Sequence, residues 1–245
     1  MNIIKLNAID STNSYLKKLA YKTGIKNHTV VVANHQTSGR GQLGTSWVSD
    51  SGKNLTFSLL INFDNFKIKH NFYLSMAVSL GVLDALKKSV KMPIAVKWPN
   101  DIMADKDKVA GILIENILRG DFVKQSVIGI GLNVNQKVFP SSIKNVTSLK
   151  NIAGTNFNKE KILEEIITSI KYYVNYITNK EFIKLKELYI TSLYKYGKPT
   201  MFEDKKGSIF LGKIVDIFED GKLVVELENE TIRKFSLKEI KFANR

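Results

Sequence analysis

A series of apolar, β-branched runs with few helical segments between them constrains the fold of this chain most. Each run has the length of a single strand and is bounded by polar or glycine-rich residues. The runs cover residues 29–33, 54–61, 94–98, 108–115 and 126–134. A parallel sheet would need a crossover connection between successive strands, so this close succession predicts a largely antiparallel sheet.

Helical spacing of apolar residues appears in four segments. A short helix is predicted over residues 10–21, and an apolar face from Leu74 to Ala85 predicts a buried one. Two more follow, one starting near Asn158 and one over residues 182–189. We expect these helices to cover one face of a mixed, largely antiparallel sheet, which makes the fold α+β.

Near residue 195 the pattern changes to short strands with tight turns. Strands are predicted over residues 209–218, 223–227 and 231–235, and Asp220-Gly221 between the first two is a strong hairpin signal. We therefore predict a main domain over residues 1–195 and a small C-terminal SH3-like β-barrel over residues 196–245. A unit of that size gains stability by packing on a larger domain.

Composition excludes several classes of protein. The 245 residues are 44% hydrophobic and 24% charged, as in an ordinary globular protein. They include no cysteine, which excludes disulfides, thiolate metal sites and a cysteine nucleophile, and suits a reducing compartment. Neither a signal-peptide core nor an apolar run of membrane-spanning length occurs. We expect a cytoplasmic protein without a membrane partner.

The net charge of +14 calls for a test of the nucleic-acid hypothesis. Residues 197–245 hold 10 Lys and Arg against 9 Asp and Glu, so +13 of this charge lies on residues 1–196. The excess consists of scattered lysines without an arginine-rich run. This pattern predicts a solvated surface and no specific nucleic-acid partner, and the alternative is attraction to acidic partners or polyphosphate.

The segment His35–Trp47 is the first candidate site. Gly39, Gly41 and Gly44 would let backbone N–H groups approach an anion, and Arg40 adds a fork suited to phosphate or carboxylate. The spacing is not that of a Walker A loop, and an ordinary flexible loop has the same composition. Trp47 could stack on a base or enter the core.

Two further segments combine polar residues or glycines with strand patterns. Lys97-Trp98-Pro99-Asn100-Asp101 and the following Lys108 cluster charged and amide groups between two strands, which favours a site because such groups need partners when buried. Gly129 and Gly131 interrupt an apolar strand, which indicates either a bulge or the close approach of a ligand.

Taken together and in this order, these segments resemble the biotin protein ligases. The matching motifs are Asp10-Ser11-Thr12-Asn13, Gly39-Arg40-Gly41-x-x-Gly44-x-x-Trp47, Lys97-Trp98-Pro99-Asn100-Asp101, residues 108–115 and residues 129–133. The resemblance spans essentially the whole chain, because that family also ends in an SH3-like domain, and it implies a class II synthetase-like catalytic domain. One departure is that Gln42 and Thr45 stand where the family loop often has arginines.

The resemblance implies a two-step reaction with ATP and biotin as substrates and Mg²⁺ as the metal ion. Biotin's carboxylate attacks the α-phosphorus of ATP, and a lysine of a biotin carboxyl carrier domain then displaces AMP. Both reactants of the first step are anions, so this chemistry needs alignment and charge neutralisation rather than a nucleophilic side chain.

The resemblance also implies roles for individual residues. Catalytic roles fall to Lys108 between the biotin carboxylate and the α-phosphate, to Arg40, and to Asp101, which would orient the incoming amine or accept its proton. Biotin contacts fall to Ser11, Thr12, Gln36, Gly39, Arg40 and Lys108. Nucleotide contacts fall to Gly41, Gln42, Gly44, Trp47, Lys97, Asn100 and Asn133. Metal ligands stay unassigned.

Three alternative functions stand beside this one. A small-barrel nucleic-acid module is disfavoured because residues 197–245 are nearly neutral. A lipoate–protein ligase has a related catalytic fold, whereas the related octanoyl transferases are excluded because they use a cysteine. A biotin-responsive repressor would need a helix-turn-helix domain, and the first motif already begins at Asp10. We therefore expect the monofunctional type, with its oligomeric state left open.

Overall fold

The computed structural model of the chain describes residues 2–22 and 24–243, and they contain one large and one small sheet. The large sheet has the spatial order β1-β2-β3-β7-β6-β5-β4. Only β1 and β2 pair in parallel, and the other neighbours are antiparallel. The strands are β1 (Asn2–Ile9), β2 (Thr29–Gln36), β3 (Leu55–Lys67), β4 (Ile94–Lys97), β5 (Asp101–Ala104), β6 (Asp107–Arg119) and β7 (Phe122–Leu132). The mixed, largely antiparallel sheet is confirmed.

Helices lie on both faces of this sheet. They are α1 (Thr12–Ala20), α2 (Asn71–Lys87), α3 (Leu149–Ala153), α4 (Lys159–Thr178) and α5 (Phe182–Thr191). Leu59 belongs to the main core with α2, α4 and α5, whereas its neighbour Leu60 packs with Leu16 of α1. Successive strand residues point to opposite faces. The expectation that helices cover a single face is therefore corrected, because α1 covers the other.

Local sequence explains how the main helical layer forms. The Asn158 side chain accepts hydrogen bonds from the backbone N–H groups of Glu160 and Lys161, so α4 begins where the sequence predicts. Gly81 of α2 leaves no room for a side chain, because a Cβ there would lie 2.7 Å from the Cα of Ile170 in α4. This glycine lets the two helices pack closely over the sheet.

The C-terminal residues form a five-stranded antiparallel sheet with the order β11-β10-β9-β8-β12. The strands are β8 (Pro199–Asp204), β9 (Ile209–Ile217), β10 (Leu223–Leu227), β11 (Ile232–Phe235) and β12 (Ile240–Phe242). This small sheet matches the predicted SH3-like unit. Its buried residues Phe202 and Ile214 belong to the same core as the large sheet, so the small unit packs on the main one. The boundary near residue 195 stays a prediction.

One contact joins this C-terminal unit to the Lys97–Asp101 motif. The buried indole of Trp98 donates a hydrogen bond of 2.9 Å from Nε1 to the carbonyl oxygen of Gly221, in the turn between β9 and β10. Gly221 has a φ of 90°, and the ring of Phe72 from α2 fills the space where its Cβ would lie. The turn is thereby held between the motif and α2.

Within the described part of the chain, no helix combines the length and the apolar character that crossing a membrane would require.

Candidate active site

A cavity of about 280 Å³ lies where the start of α1, the segment 39–47, the Lys97–Asp101 turn and strands β6 and β7 meet. Most of the predicted site residues line it, although they are far apart in the chain. They are Ser11, Thr12, Gln36, Arg40, Gly41, Gln42, Trp47, Asn100, Asp101 and Lys108. The structure therefore brings the glycine-rich segment and both polar motifs to one place.

The Asp10–Asn13 motif caps α1 and also forms one end of the cavity. Ser11 is the N-cap, and its hydroxyl accepts from the backbone N–H of Ser14. Both the backbone N–H and the hydroxyl of Thr12 donate to Oε1 of Gln36, at 2.8 and 3.0 Å. These bonds fix the Gln36 amide, so its two N–H donors point elsewhere and can serve a ligand.

Asn13, the last residue of that motif, is fixed by contacts on all its polar atoms. Its Oδ1 lies 2.6 Å from Oγ of Ser58, and its Nδ2 donates to the Leu113 carbonyl and to Glu115. A Cβ on Gly129 would collide with the Asn13 amide. The glycine in β7 is therefore required for close packing of α1 on the strand.

The segment 39–47 forms a small hairpin-like loop. Gly41 N–H donates to the Thr45 carbonyl at 2.7 Å, and Trp47 N–H donates to the Gly39 carbonyl at 2.9 Å. A Cβ on Gly39 would collide with the Trp47 carbonyl, so a glycine is needed there. These bonds hold the ends of the loop together and aim Arg40 and Trp47 at the cavity.

The Trp47 indole packs against the backbone of two glycines in strands β6 and β7, where no side chain intervenes. A Cβ on Gly131 would overlap the indole, and one on Gly111 would lie 3.4 Å from it. Its Nε1 is buried and has no hydrogen-bond partner among the described residues. Of the two interpretations of Trp47, the structure shows a half-buried ring at the cavity wall rather than a core residue.

The Lys97–Asp101 turn is docked onto β6. The Asn100 side-chain amide donates to the Ile112 carbonyl at 2.7 Å, and Ile112 N–H donates to the Asn100 carbonyl at 3.0 Å. Asp101 forms a salt bridge of 2.7 Å with Nζ of Lys108. The same Nζ lies 5.8 Å from the Trp47 ring centroid. A cation thus stands between the turn and the aromatic wall.

Two ionisable groups near the cavity have shifted pKa values. Burial lowers the pKa of Lys97, Asp101 partly opposes that shift, and the charge of Lys108 adds to it. Burial alone would raise the pKa of Glu115, but its hydrogen bonds with Asn13 and Lys17 and the charge of Arg40 outweigh burial and lower it. Glu115 is therefore ionised at neutral pH.

Four predicted residues lie outside the lining of this cavity. Lys97 lines a neighbouring cleft of about 680 Å³ between the two sheets, and its Nζ lies 5.3 Å from the Phe242 ring centroid. Gly39 and Gly44 line a surface depression formed by the loop. The buried Asn133 donates from its amide to the Thr147 carbonyl at 3.0 Å.

Asn133 acts on the cavity through the backbone of Lys108. Thr147 N–H donates to the Lys108 carbonyl at 3.0 Å, and Lys108 N–H donates to the Asn145 carbonyl at 2.8 Å. By holding Thr147, Asn133 fixes the segment that pairs with the start of β6. In the structure, Asn133 therefore supports the cavity through Thr147 and does not line it.

Sequence reasoning missed Lys238, Glu115 and Ser58. Lys238 comes from the C-terminal unit yet lines both the cavity and the neighbouring cleft. No local pattern distinguishes it from the other exposed lysines, so only the packing of the two units reveals it. Glu115 ends the matched segment 108–115, and its salt bridge of 2.7 Å with Arg40 was not predicted.

The donor chemistry near the cavity gives limited support for a protein-bound metal. Across residues 2–22 and 24–243, no group of three or more His, Asp or Glu side chains could hold a metal ion. Asp101 is the one carboxylate among the described residues that line the cavity. A metal held here would need most of its ligands from a bound substrate and water.

Comparisons with known proteins agree with this geometry. Residues 6–133 match the model of the Biotin/lipoate A/B protein ligase family. The chain belongs to this family. Within it, the chain is 30% identical over 237 residues to the bifunctional ligase/repressor BirA of Bacillus subtilis, covering 95% of this chain and 71% of that protein. It is 28% identical over 226 residues to the biotin–[acetyl-CoA-carboxylase] ligase of Mycobacterium tuberculosis, covering 91% and 82%.

Solved structures match both sheets together. The biotin protein ligase of Aquifex aeolicus in complex with biotin and ATP has a TM-score of 0.80 and 29% identity, and the match covers 99% of each chain. The shared region therefore includes the C-terminal unit that supplies Lys238. The resemblance to biotin protein ligases found in the sequence is confirmed.

Proposed function

We propose that the protein uses ATP to ligate biotin to a specific lysine of a biotin carboxyl carrier domain, through biotinyl-5′-adenylate. The observation that carries this proposal is that the motifs of the glycine-rich segment, the Lys97–Asp101 turn and α1 converge on one cavity that contains Arg40, Lys108 and Lys238. Three cations around a small cavity suit two anionic substrates.

In the first step, a carboxylate oxygen of biotin forms a bond to the α-phosphorus of ATP while the bond to the leaving pyrophosphate breaks. The main barrier is the approach of two negative charges, so fixed cations lower it. Lys108 is placed to neutralise the carboxylate and the α-phosphate, and Arg40 adds a second cation. Asp101 holds the Lys108 ammonium at the cavity wall at 2.7 Å.

The biotin end of the site is formed by Ser11, Thr12, Gln36 and Gly39. Gln36 is oriented by both polar atoms of Thr12. Phe57 and Ile130 add apolar wall to the same cavity, which suits a ligand with a polar head and an aliphatic stem.

The nucleotide end is assigned to Gly41, Gln42, Trp47 and Asn100 in the cavity and to Gly44 and Lys97 beside it. Asn133 is proposed to support this end through Thr147. Gln42 and Thr45 supply no charge where the family loop often has arginines. Lys238 and Lys97 lie at the cavity and the adjoining cleft, so we propose that they provide the missing positive charge for the phosphates. The Trp47 ring offers an aromatic surface at the wall of the cavity.

In the second step, the amine of the acceptor lysine forms a bond to the carbonyl carbon of the adenylate, and the bond to the phosphate oxygen of AMP breaks. The amine loses a proton during this step, and the Asp101 carboxylate is the proposed acceptor. The cleft of about 680 Å³ beside the cavity is also lined by Asp101 and is a proposed route for the acceptor lysine.

Mg²⁺ is proposed to accompany ATP. It would be bound mainly by phosphate oxygens and water, with Asp101 and the Asn100 amide oxygen as the candidate protein ligands. When bound, the ion would reduce the negative charge of the triphosphate.

The partner and the location of the protein are also proposals. The acceptor is a carrier domain of a biotin-dependent carboxylase, no specific nucleic acid is bound, and homo-oligomers are left open. A cytoplasmic location is supported by the requirement for ATP and by the absence of cysteine from the sequence.

One experiment separates this function from its closest rival. The protein is incubated with ATP, Mg²⁺ and a biotin carboxyl carrier domain, and either biotin or lipoate is added. The mass of the carrier domain is then measured by mass spectrometry. We expect the carrier mass to rise by one biotinyl group. Modification with lipoate alone would establish the lipoate ligase instead.

A further inference from the structure

We propose that Glu115 is a positioning residue for adenylate formation, because its carboxylate holds both Arg40 and Asn13 in place. This inference rests on the proposed function. Glu115 is not among the residues that line the cavity, whereas Arg40 and Asn13 are. It therefore acts through them rather than on the substrates.

The Glu115 carboxylate connects three elements of the fold. Oε2 accepts from Nη2 of Arg40 at 2.7 Å and from Nδ2 of Asn13 at 3.0 Å, and Oε1 accepts from Nζ of Lys17 at 3.2 Å. Glu115 lies in β6, opposite Val127 of β7, so the carboxylate has a rigid support. The loop and α1 are thus tied to the sheet at a single group.

The salt bridge with Glu115 orients the Arg40 guanidinium and leaves its other N–H donors available to a ligand. A guanidinium has five N–H donors in a fixed plane, and the contact engages Nη2. The Arg40 side chain is 45% exposed, so its other donors are accessible to an anionic ligand, while the Glu115 side chain is only 18% exposed. Without the carboxylate, this arginine on a glycine-flanked loop would sample many orientations.

The same carboxylate supports the biotin end of the site. Asn13 directly follows Ser11 and Thr12, and its amide is held by Glu115, Ser58 and the Leu113 carbonyl. A shift of Glu115 would therefore disturb the start of α1 as well as Arg40. The two reactants of the first step are aligned, through these contacts, by one side chain.

The charges predict an unusual kinetic signature for Glu115→Gln. Arg40 and Lys17 together carry two positive charges, and Glu115 cancels one of them. Glutamine keeps the shape of the side chain but leaves both cations uncompensated, so anionic substrates should bind at least as well. Loss of alignment should lower kcat while the KM values for ATP and biotin do not rise.

The experiment measures biotin-dependent pyrophosphate exchange into ATP, which reports the first step alone. We expect Glu115→Gln to lower kcat at least about tenfold in the wild-type chain, and to lower it by a smaller factor in a chain that already carries Arg40→Gln, where only the part that acts through Asn13 is left. Lys17→Met is the matched control, because it removes the other cation and leaves the Arg40 pair; its kcat should stay within about twofold of wild type.

Thermal unfolding of each variant identifies a general loss of structure. If Glu115→Gln unfolds, Glu115→Asp replaces it in the same test, because it keeps the charge but shortens the side chain. A kcat for the position-115 variant close to wild type, a rise in KM without loss of kcat, or an equal loss in the Arg40→Gln chain would overturn the proposal. If the wild-type protein shows no biotin-dependent exchange, the proposed function itself fails.

Discussion

The ammonium of Lys108 lies 2.7 Å from the carboxylate of Asp101, across the pair of strands β5 and β6. Neither group is fully buried, with side-chain exposures of 34% and 23%. An exposed pair of this kind contributes little to stability. The pair holds a cation at the cavity wall, where the proposed function has an anionic substrate compete for it.

Lys108→Ala should nearly abolish formation of biotinyl-adenylate and leave the fold intact. In the proposed first step the lysine cancels repulsion between two anions, so its loss should lower the first-step rate at least about 100-fold. Because the side chain is partly exposed, no core cavity opens and the melting temperature should hardly change. Pyrophosphate release measures the rate, and Lys106→Ala, at an exposed lysine two residues away, is the control. A two- to threefold loss would contradict the role given to Lys108.

Asp101→Asn should affect the second step more than the first. The variant removes the proposed proton acceptor but keeps a side chain of the same shape. Transfer from preformed biotinyl-adenylate to the carrier domain should slow by about 100-fold or more, as measured in a single turnover. If transfer is unchanged while adenylate formation slows, Asp101 serves only to hold Lys108.

Gly131→Ala should weaken nucleotide binding with little effect on stability. The added Cβ would overlap the Trp47 indole, and this ring lies on a loop that can move outward. Gly81→Ala is the contrasting variant, because its Cβ would meet the backbone of α4 and should cost about 1–3 kcal/mol of folding stability. Calorimetry of ATP-analogue binding and thermal unfolding measure the two effects. Equal losses of stability would show that Trp47 is fixed.

Residues 38–51 should be mobile without substrates and ordered over the adenylate. The hydrogen bonds of Gly41 and Trp47 lie within the loop. Between its two ends, where Ser38 bonds to Asp10 and Asp50 to Gln136, its polar contact with the sheet is the partly exposed salt bridge of Arg40 with Glu115. Bound biotinyl-adenylate would supply anionic partners and so offset the entropy of ordering the loop. Amide hydrogen exchange, with and without biotin and ATP, measures this. A loop that is equally protected in both conditions would show that its glycines serve a fixed turn.

Binding to duplex DNA should be weak and should be lost when salt is raised, because the charge of +13 on residues 1–196 comes from scattered lysines. Fluorescence anisotropy at two salt concentrations tests this. Sequence-selective binding in the nanomolar range at physiological salt would favour the repressor hypothesis.

Patterns within one segment predicted most of the fold. The strands from Leu55, Asp107 and Phe122 and the helix after Asn158 all lie where periodicity and capping place them. The sequence patterns did not predict four strands. β1 lies at an edge of the sheet and has polar residues along it, and β8 has only one buried residue. β5 and β12 are short, with four and three residues. Short or exposed strands are defined by their partners, which a local pattern does not contain.

The candidate site, like the fold, was predicted in part from local sequence patterns. Motifs identified the residues that converge on the cavity, because glycines and polar groups inside strand patterns are unusual. The contact of Arg40 with Glu115 and the place of Lys238 depend on tertiary packing between distant segments. No local signal encodes such contacts, and the structure alone reveals them.

The hydrogen bond from Trp98 to Gly221 also bears on the order in which the enzyme is assembled during synthesis. A ribosome completes the motifs from Ser11 to Asn133 well before it reaches the β9–β10 turn. The Lys97–Asp101 turn gains its full support only after Gly221 has been made, and the cavity gains Lys238 later still. A nascent chain that exposes only the large sheet would therefore lack both Lys238 and the support of Gly221, so the proposed nucleotide site is finished only after the C-terminal unit has been made.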